Sequence, residues 1–588
     1  MPRNYYLNKL EIVQNEIQTA TKTFRKWVLI RLLVFLATSL GVYFFWGNMK
    51  IVIPSVLAGL ILFLLAVSRF QDAKTTLSKA KKWKQLLENE LSALNGDSGV
   101  FEDGEEFRDS GHPFAHDMDL FGKNSVYQFL NRTFSLKGKR FLADLLKTGA
   151  DSQKEINTII EELSKDMDWC MQFRVNGAVD ERKEALNHDL TQLKTFSFTN
   201  TVWMNSIRFV LSGLMIGLIS AYFFGLVGGN VLGFVLIINL LLVGRYLKDT
   251  NRIIFTIGRY EGKIRFLTDQ LQLIKKLKAE QPALKQFVQR LSSEDESAIT
   301  ALKELLKIQK RFEFRMNLLV GFILNGFLVW DFHQRIALKK WLDAYQNKIG
   351  DWETDLVKLE GYISGAFLKF NHPQTTFAVF NEEDRVEVKS LTHPLIASGK
   401  AVANDVYFDE KHRLMILTGP NMAGKSTYLR SVGLLFVLAN AGFTVFAESV
   451  NIPHYSLYSS MRTSDDLSNE SSYFHAELTR LKFILDQIES GKKIFILLDE
   501  ILKGTNSIDK EQGSKQFLQK LKRLNTQGII ATHDLALCEL SDKSDYFFNG
   551  YFDSTIQGDE LYFDYLWKKG VCQNMNASFL LKKMNLVD

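Results

Sequence analysis

Gly419, Gly424, Lys425 and Ser426 stand at the spacing G-x-x-x-x-G-K-[ST]. A phosphate chain packs several negative charges into a small volume. Holding it takes backbone N–H groups free of side chains, a helix N-terminus and one mobile cation. The glycines let the backbone close in, Lys425 reaches the terminal phosphates, and the Ser426 hydroxyl can ligate Mg²⁺. The whole loop is the expected cradle for ATP: Gly419, Pro420, Asn421, Met422, Ala423, Gly424, Lys425, Ser426 and Thr427. A second apolar run, Ile494 to Leu498, ends in Asp499-Glu500. Asp499 is expected to hold the Mg²⁺ shell, and Glu500 to act as the base toward the attacking water. A third run, Gly528 to Ala531, leads through Thr532 to His533, which at a strand end of the same sheet is expected to reach the γ-phosphate. The blander readings are a solvated acidic turn at 499–500 and a structural histidine at 533.

These groups need a strand–loop–helix frame. Leu414-Met415-Ile416-Leu417 reads as a buried strand before the loop, and Tyr428 to Ala439 as an apolar helix after it. Continuous apolar runs such as 494–498 fit parallel strands covered on both faces. Strand-like text begins near residue 375, with Thr376 to Phe380 and Arg385 to Val388. The expected nucleotide domain is therefore 373–588, an α/β P-loop fold.

Upstream, the text is helical and partly membrane-like. Val28 to Trp46 carries one charge, Arg31, and Ile51 to Ser68 carries none. Phe209 to Val227 and a run within 229–247 form a second apolar pair. A bilayer core of about 30 Å needs roughly 20 helical residues. Short polar links make each pair a predicted transmembrane hairpin, 28–46 with 51–68 and 209–227 with 229–247. Lys22, Arg25 and Lys26, then Arg69 and Lys74, flank the first hairpin's base; Arg208, Arg245, Lys248 and Arg252 flank the second. Basic bases place both on the cytoplasmic side, and the ATPase with them. Burial of all four runs in a large soluble core is the competing reading. Residues 1–27 read as an amphipathic helix and 69–95 as a polar helix leaving the membrane. Asn317 to Trp330 is shorter and interrupted by Asn325, and is read as a core helix packed among its neighbours. The expected divisions are 1–98, a helical core and lever region 99–372, and 373–588. The net charge of +6 is spread along the chain and does not by itself argue for nucleic acid. Cys170, Cys538 and Cys572 have no metal or redox spacing and suggest a reducing compartment.

The loop Thr418-Gly-Pro-Asn-Met-Ala-Gly-Lys-Ser-Thr-Tyr-Leu-Arg430 resembles that of the MutS family, the mismatch-repair ATPases. The likeness continues in Thr392-His393-Pro394 with Ala403-Asn404-Asp405, in Ser471-Ser472-Tyr473-Phe474-His475-Ala476-Glu477, in Asp499 to Ser507 and in Ala531-Thr532-His533. Asp119-Leu120-Phe121-Gly122 and Gly138 to Leu142 are similar to the opening of the family's helical core, and 561–588 to its helical C-terminal segment. The resemblance implies an ABC-type ATPase whose sites are shared by two subunits. Ser472 would then act on the γ-phosphate held by a partner copy, and Asn404 would border the nucleotide. It implies a homodimer with ATP and Mg²⁺ as cofactors. One departure is Ala401-Val402, where many members carry an aromatic residue on adenine. Another is that the mismatch-reading domain has no counterpart, while the second hairpin takes the place of the DNA clamp. Two functions follow. The first is a membrane-anchored MutS-like ATPase that binds mismatched or branched DNA. The second is an ATP-driven membrane mechanoenzyme with no nucleic-acid role.

Overall fold

The computed structural model describes residues 2–179, 190–195, 198, 201–292, 298–397, 399–462, 473–503, 506–557 and 560–573. Its helices begin with α1 (Pro2–Phe44), α2 (Met49–Leu94), α3 (Val126–Leu130), α4 (Leu136–Thr148), α5 (Gln153–Leu163) and α6 (Met167–Ala178). Next come α7 (Thr201–Phe223), α8 (Gly229–Gly244), α9 (Leu247–Lys275), α10 (Pro282–Ser292), α11 (Ala298–Phe314), α12 (Leu318–Leu328), α13 (Trp330–Tyr345) and α14 (Ile349–Asn371). Among the described residues, strands start at Val379.

Helices α1 and α2 are unbroken rods of 43 and 46 residues, so each extends roughly 65–70 Å. The apolar run and the polar run expected as separate pieces are one helix on each side. Buried residues recur every seventh position, at Tyr6, Val13 and Ala20 on α1 and at Ala66, Ala73, Ala80 and Leu87 on α2. That period is the seam of a left-handed helix pair, and its alanines let the axes come close. The outer faces differ along the length. In the apolar half Leu33 is 62% and Leu65 59% exposed. In the polar half, Leu86, Leu87 and Tyr6 join the main core.

The polar ends of this pair are tied into the helical region by one carboxylate. Glu90 is fully buried and accepts from Arg132 Nε at 2.8 Å and Nη2 at 3.0 Å, from Arg174 Nη1 at 2.7 Å and from Asn371 Nδ2 at 3.1 Å. Tyr6 O–H donates to Asn371 Oδ1 at 2.7 Å. Burial opposes ionisation of Glu90, but the two guanidiniums outweigh it and hold its carboxyl below the usual range.

Helices Pro2–Phe44, Pro54–Leu94 and Thr201–Phe223 are long and apolar enough to cross a bilayer. Gly229–Gly244 and Leu247–Lys275 meet at a 60° bend and count as a fourth only if taken as one broken span. Helix α7 stops at Phe223, so the second link is longer than expected. The expectation for 317–330 needs correction. Helix α12 packs on α7 and α8 along one side, but Leu318 is 88% and Leu319 77% exposed. Its apolar residues run around the helix without a polar face, so only one side can be covered by protein.

The C-terminal region carries β1 (Val379–Asn381), β2 (Val386–Leu391), β3 (Asn404–Phe408), β4 (Leu414–Thr418), α15 (Lys425–Asn440), β5 (Ser449–Pro453) and β6 (Ser456–Ser460). It continues with α16 (Tyr473–Glu489), β7 (Ile494–Asp499), α17 (Ser507–Arg523), β8 (Gln527–Ala531), β9 (Phe547–Tyr551), β10 (Thr555–Gln557), β11 (Glu560–Tyr562) and β12 (Lys568–Lys569). One sheet has the order β12-β9-β4-β8-β7-β6, parallel except for β12. A second sheet has the order β1-β5-β2-β3, with β5 contributed from after β4 in the chain. The helical C-terminal segment expected over 561–588 is not helical in its described part, because Glu560–Tyr562 pairs with β10 and Lys568–Lys569 turns back onto β9. Residues 574–588 lie outside the described residues.

Replacing Glu90 by Ala leaves Arg132 and Arg174 buried without a counter-charge. A loss of about 3–5 kcal/mol is expected, read as a lowered Tm of the purified chain. The wild-type contribution has a set pH dependence. Since the folded carboxyl titrates below its unfolded value of 4.5, the stabilisation is present above that pH and is lost as the pH falls below it. Equal melting of both proteins at pH 7 would refute the role.

Candidate nucleotide-binding site

Strand register brings the three chemical segments together. Leu417 of β4 pairs with Ala531 of β8, and Ala531 in turn with Asp499 of β7. The carboxyl ends of adjacent parallel strands therefore release the glycine loop, the acidic pair and His533 at one edge. This is where open α/β sheets bind ligands.

The loop itself demands glycine at both ends. Gly419 has φ +147° and a side chain there would meet the Phe552 carbonyl at 2.6 Å, while Gly424 has φ +105° as the N-cap of α15. Lys425 is buried, and its Nζ donates to the Gly419 carbonyl at 2.7 Å and the Pro420 carbonyl at 3.1 Å. Burial lowers its pKa, against the pull of Asp499 and Glu500. The ammonium is thus parked on loop carbonyls, in reach of any anion that enters the cradle. Ser426 Oγ donates to Asp499 Oδ2 at 2.9 Å, so the two oxygen ligands expected for Mg²⁺ already touch. Hard oxygens at a loop that cradles phosphate fit a magnesium–nucleotide pair.

Glu500 adopts φ +53°, and its backbone N–H donates to the Ala531 carbonyl at 2.9 Å. Its carboxylate meets His533 Nε2 at 3.1 Å and Lys503 Nζ at 3.3 Å. The hydrogen bond from His533, ahead of Lys503, lowers its pKa to about 2. His533 Nε2 also lies 3.0 Å from Asn421 Oδ1 and 3.4 Å from Lys425 Nζ. Two acceptor oxygens at 3.0–3.1 Å, against one ammonium at 3.4 Å, favour the tautomer with the hydrogen on Nε2. Histidine thus links the base candidate to the loop.

A cavity of 460 Å³ opens beside these groups, within the range of small-molecule sites. Its lining includes Pro420 to Met422 and Gly424 to Thr427 of the loop, with Ala401, Val402, Asn404, Phe552 and Tyr565. Asn404 reaches this cavity as expected for a bordering residue, but its amide is engaged: Nδ2 donates to the Tyr565 carbonyl at 3.0 Å and Oδ1 accepts from Trp567 N–H at 2.6 Å. Tyr565 and Phe552 were not anticipated. The signal for Tyr565 was the aromatic run Tyr562-Phe563-Asp564-Tyr565-Leu566-Trp567, set in a stretch expected to be helical. Ala423 is buried beneath the loop. Ser472 lies outside the described residues. Glu477, five residues later, is buried and accepts from the backbone N–H groups of Leu502 at 2.5 Å and Lys503 at 3.1 Å, tying α16 to the turn after Glu500.

The helical region also reaches this domain. Buried Asp117 accepts from Ser459 O–H at 2.6 Å and from Arg462 N–H at 2.9 Å. Asp119 pairs with Arg462 at 2.5 Å and, more loosely, with Arg430 of α15 at 3.5 Å.

Residues 415–584 match the family model of MutS domain V. Over that domain the chain resembles the MutS family. It is 32% identical over 191 residues to the DNA mismatch repair protein MutS of Thermotoga maritima, covering 32% of this chain and 23% of that protein. It is 38% identical over 163 residues to that of Fusobacterium nucleatum subsp. nucleatum, covering 27% and 18%. To the MutS of Fervidobacterium nodosum it is 28% identical over 253 residues, covering 42% and 28%. The chain therefore spans about a quarter of the length of the curated relatives it matches. All of the parked lysine, the Ser426–Asp499 pair, Glu500 and His533 fall within the MutS domain V match.

Lys425→Ala removes a charge-assisted contact to phosphate worth about 1.5–3 kcal/mol. Titration with a fluorescent ATP analogue is expected to show affinity roughly 10- to 100-fold weaker. Unchanged affinity would place the nucleotide elsewhere.

Proposed function

We propose that this chain is a membrane-anchored ATPase of MutS type, in which ATP closes two copies and hydrolysis releases them. The observation that carries the reading is the preformed Ser426–Asp499 contact with Glu500 beside it, at the mouth of the 460 Å³ cavity. Lys425 would leave the loop carbonyls for the terminal phosphates. Ser426 and Asp499 would hold Mg²⁺, which neutralises charge on the phosphates. Glu500 would orient the attacking water and take its proton. A carboxylate with a pKa of about 2 is a poor proton acceptor at neutral pH. Transfer of the His533 hydrogen bond from Glu500 to the γ-phosphate would raise that basicity when it is needed. Ser472 of a second copy would complete the site, in the ABC-type manner.

The output follows from where the closing force goes. Helix α14 enters the ATPase domain directly, and its Asn371 shares Glu90 with α2, whose other half is the exposed apolar run. We infer that the apolar helices are the moving load and that they lie in a membrane, with the ATPase on the cytoplasmic side. A second reading, DNA binding, is favoured by the relatives' names, which are DNA mismatch repair proteins. Binding to duplex, branched and mismatched DNA across a salt series separates the two. Affinity for particular DNA that survives moderate salt supports the second reading, and adhesion that vanishes with salt supports the first.

Glu500→Gln keeps the shape and removes the proton acceptor. It is expected to bind ATP normally, lower turnover by about 10²-fold or more and accumulate a nucleotide-bound dimer, seen by light scattering in detergent. Wild-type turnover in this variant would reassign the base.

A further inference from the structure

Helix α12 has no role in the nucleotide site, and its surroundings are unusual for a surface helix. Leu318, Leu319, Phe322 and Ile323 are 88%, 77%, 51% and 54% exposed, and Phe314 and Met316 just before it are 59% and 56% exposed. Its other side fits closely on the second apolar pair. A side chain on Gly326 would meet Leu236 of α8 at 3.0 Å, the kind of small-residue approach found between membrane helices.

Several of the polar groups at the ends of α12 are met by protein. At the start, Asn317 Oδ1 accepts from the N–H groups of Leu319 and Val320, both at 3.2 Å. At the end, the Asn325 carbonyl accepts from Val329 N–H, the Gly326 carbonyl from Asn239 Nδ2 at 2.8 Å and the Leu328 carbonyl from Ser212 Oγ at 2.9 Å. Helix-terminal carbonyls at an aqueous surface need no such partners, whereas those in hydrocarbon do. The depth is set by the same contacts. Asn239 lies six residues from Arg245, a rise of about 9 Å from the basic base of the pair. Eleven residues of helix reach about 16 Å, half of a bilayer core. Lys310 and Arg311 are exposed just upstream, and Trp330 follows, as expected at a headgroup boundary.

We propose that α12 is a third membrane element, a re-entrant helix whose exposed apolar face contacts acyl chains of the leaflet at the base of the α7–α8 pair. This rests on the reading that α7 and α8 lie in a bilayer. The occupant is lipid rather than a second copy or a soluble partner, because the face continues the exposed flanks of that pair at Phe209 and Leu241, 61% and 69% exposed.

The test attaches a small environment-sensitive fluorophore to single cysteines at Leu319→Cys, Phe322→Cys and, on α7, Leu214→Cys. The native Cys170, Cys538 and Cys572 are buried and should not label. The full chain is reconstituted in phosphatidylcholine vesicles, with and without lipids carrying doxyl quenchers, and iodide is the aqueous quencher. The expected result is loss of fluorescence to the lipid quenchers at 319 and 322 as deep as at 214, with iodide ineffective. Quenching by lipid at 214 but by iodide at 319 and 322 overturns the proposal and leaves the α7–α8 reading standing. Quenching by lipid at 214 and by neither agent at 319 and 322 also overturns it, in favour of a protein partner. Absence of lipid quenching at 214 removes the membrane reading itself.

Discussion

The Glu90 carboxylate is the joint on which the rest of the architecture depends. It gathers Arg132, Arg174 and Asn371 from three separate parts of the helical region and holds them to α2. A buried charge is tolerated only when its partners surround it, so these elements cannot drift apart singly. Asn371 ends α14, and the chain runs from there into the first strand of the C-terminal α/β domain. On the other side, α2 continues without a break into its exposed apolar half. A rigid rod, a buried ionic joint and a short crossing into the nucleotide domain form one mechanical line. The Asp117 contacts to Ser459 and Arg462 add a second crossing, close to the segment that precedes α16. Buried ionic contacts have two discrete states, made or broken, and so can transmit a domain movement without diffuse yielding.

At the nucleotide end, little needs to be built on arrival of the ligand. The register of β7, β8 and β4 fixes the acidic pair, the histidine and the glycine loop at one edge. What must change is the sharing of hydrogen bonds. Lys425 rests on two loop carbonyls, and His533 joins Glu500 to Asn421. An entering phosphate competes for both donors at once. The Glu500 carboxylate is meanwhile tied up by His533 and Lys503.

The chemistry was legible in the chain wherever it depended on local pattern. The loop from Gly419 to Thr427 and the apolar runs that end at Thr418, Asp499 and Ala531 dictate strand, loop and helix by themselves, and the structure forms them over those residues. What stayed hidden depended on partners distant in sequence. The seven-residue seam from Ala66 to Leu87 crosses from apolar to polar text, so α2 read as two pieces although it is one helix. Glu90, Arg132 and Arg174 look like ordinary solvated charges until folding brings them together. Asn325 read as an interruption that sends α12 into the core. Instead its side chain accepts from Asp331 N–H at 2.9 Å beneath a helix whose other face is open. Tyr565 reaches the cavity through a strand hairpin in a stretch whose family likeness suggested helix.

The most direct test measures whether the state of the nucleotide site is felt by the apolar helices. Spin labels on Ile61→Cys of α2 and Ile237→Cys of α8 lie on exposed apolar faces, 59% and 55% exposed. In a Glu500→Gln background reconstituted in vesicles, pulsed dipolar spectroscopy gives their distance distribution with and without ATP and Mg²⁺. Transmission through the Glu90 joint predicts a shifted distribution when ATP binds. An identical distribution in protein shown to hold ATP contradicts it.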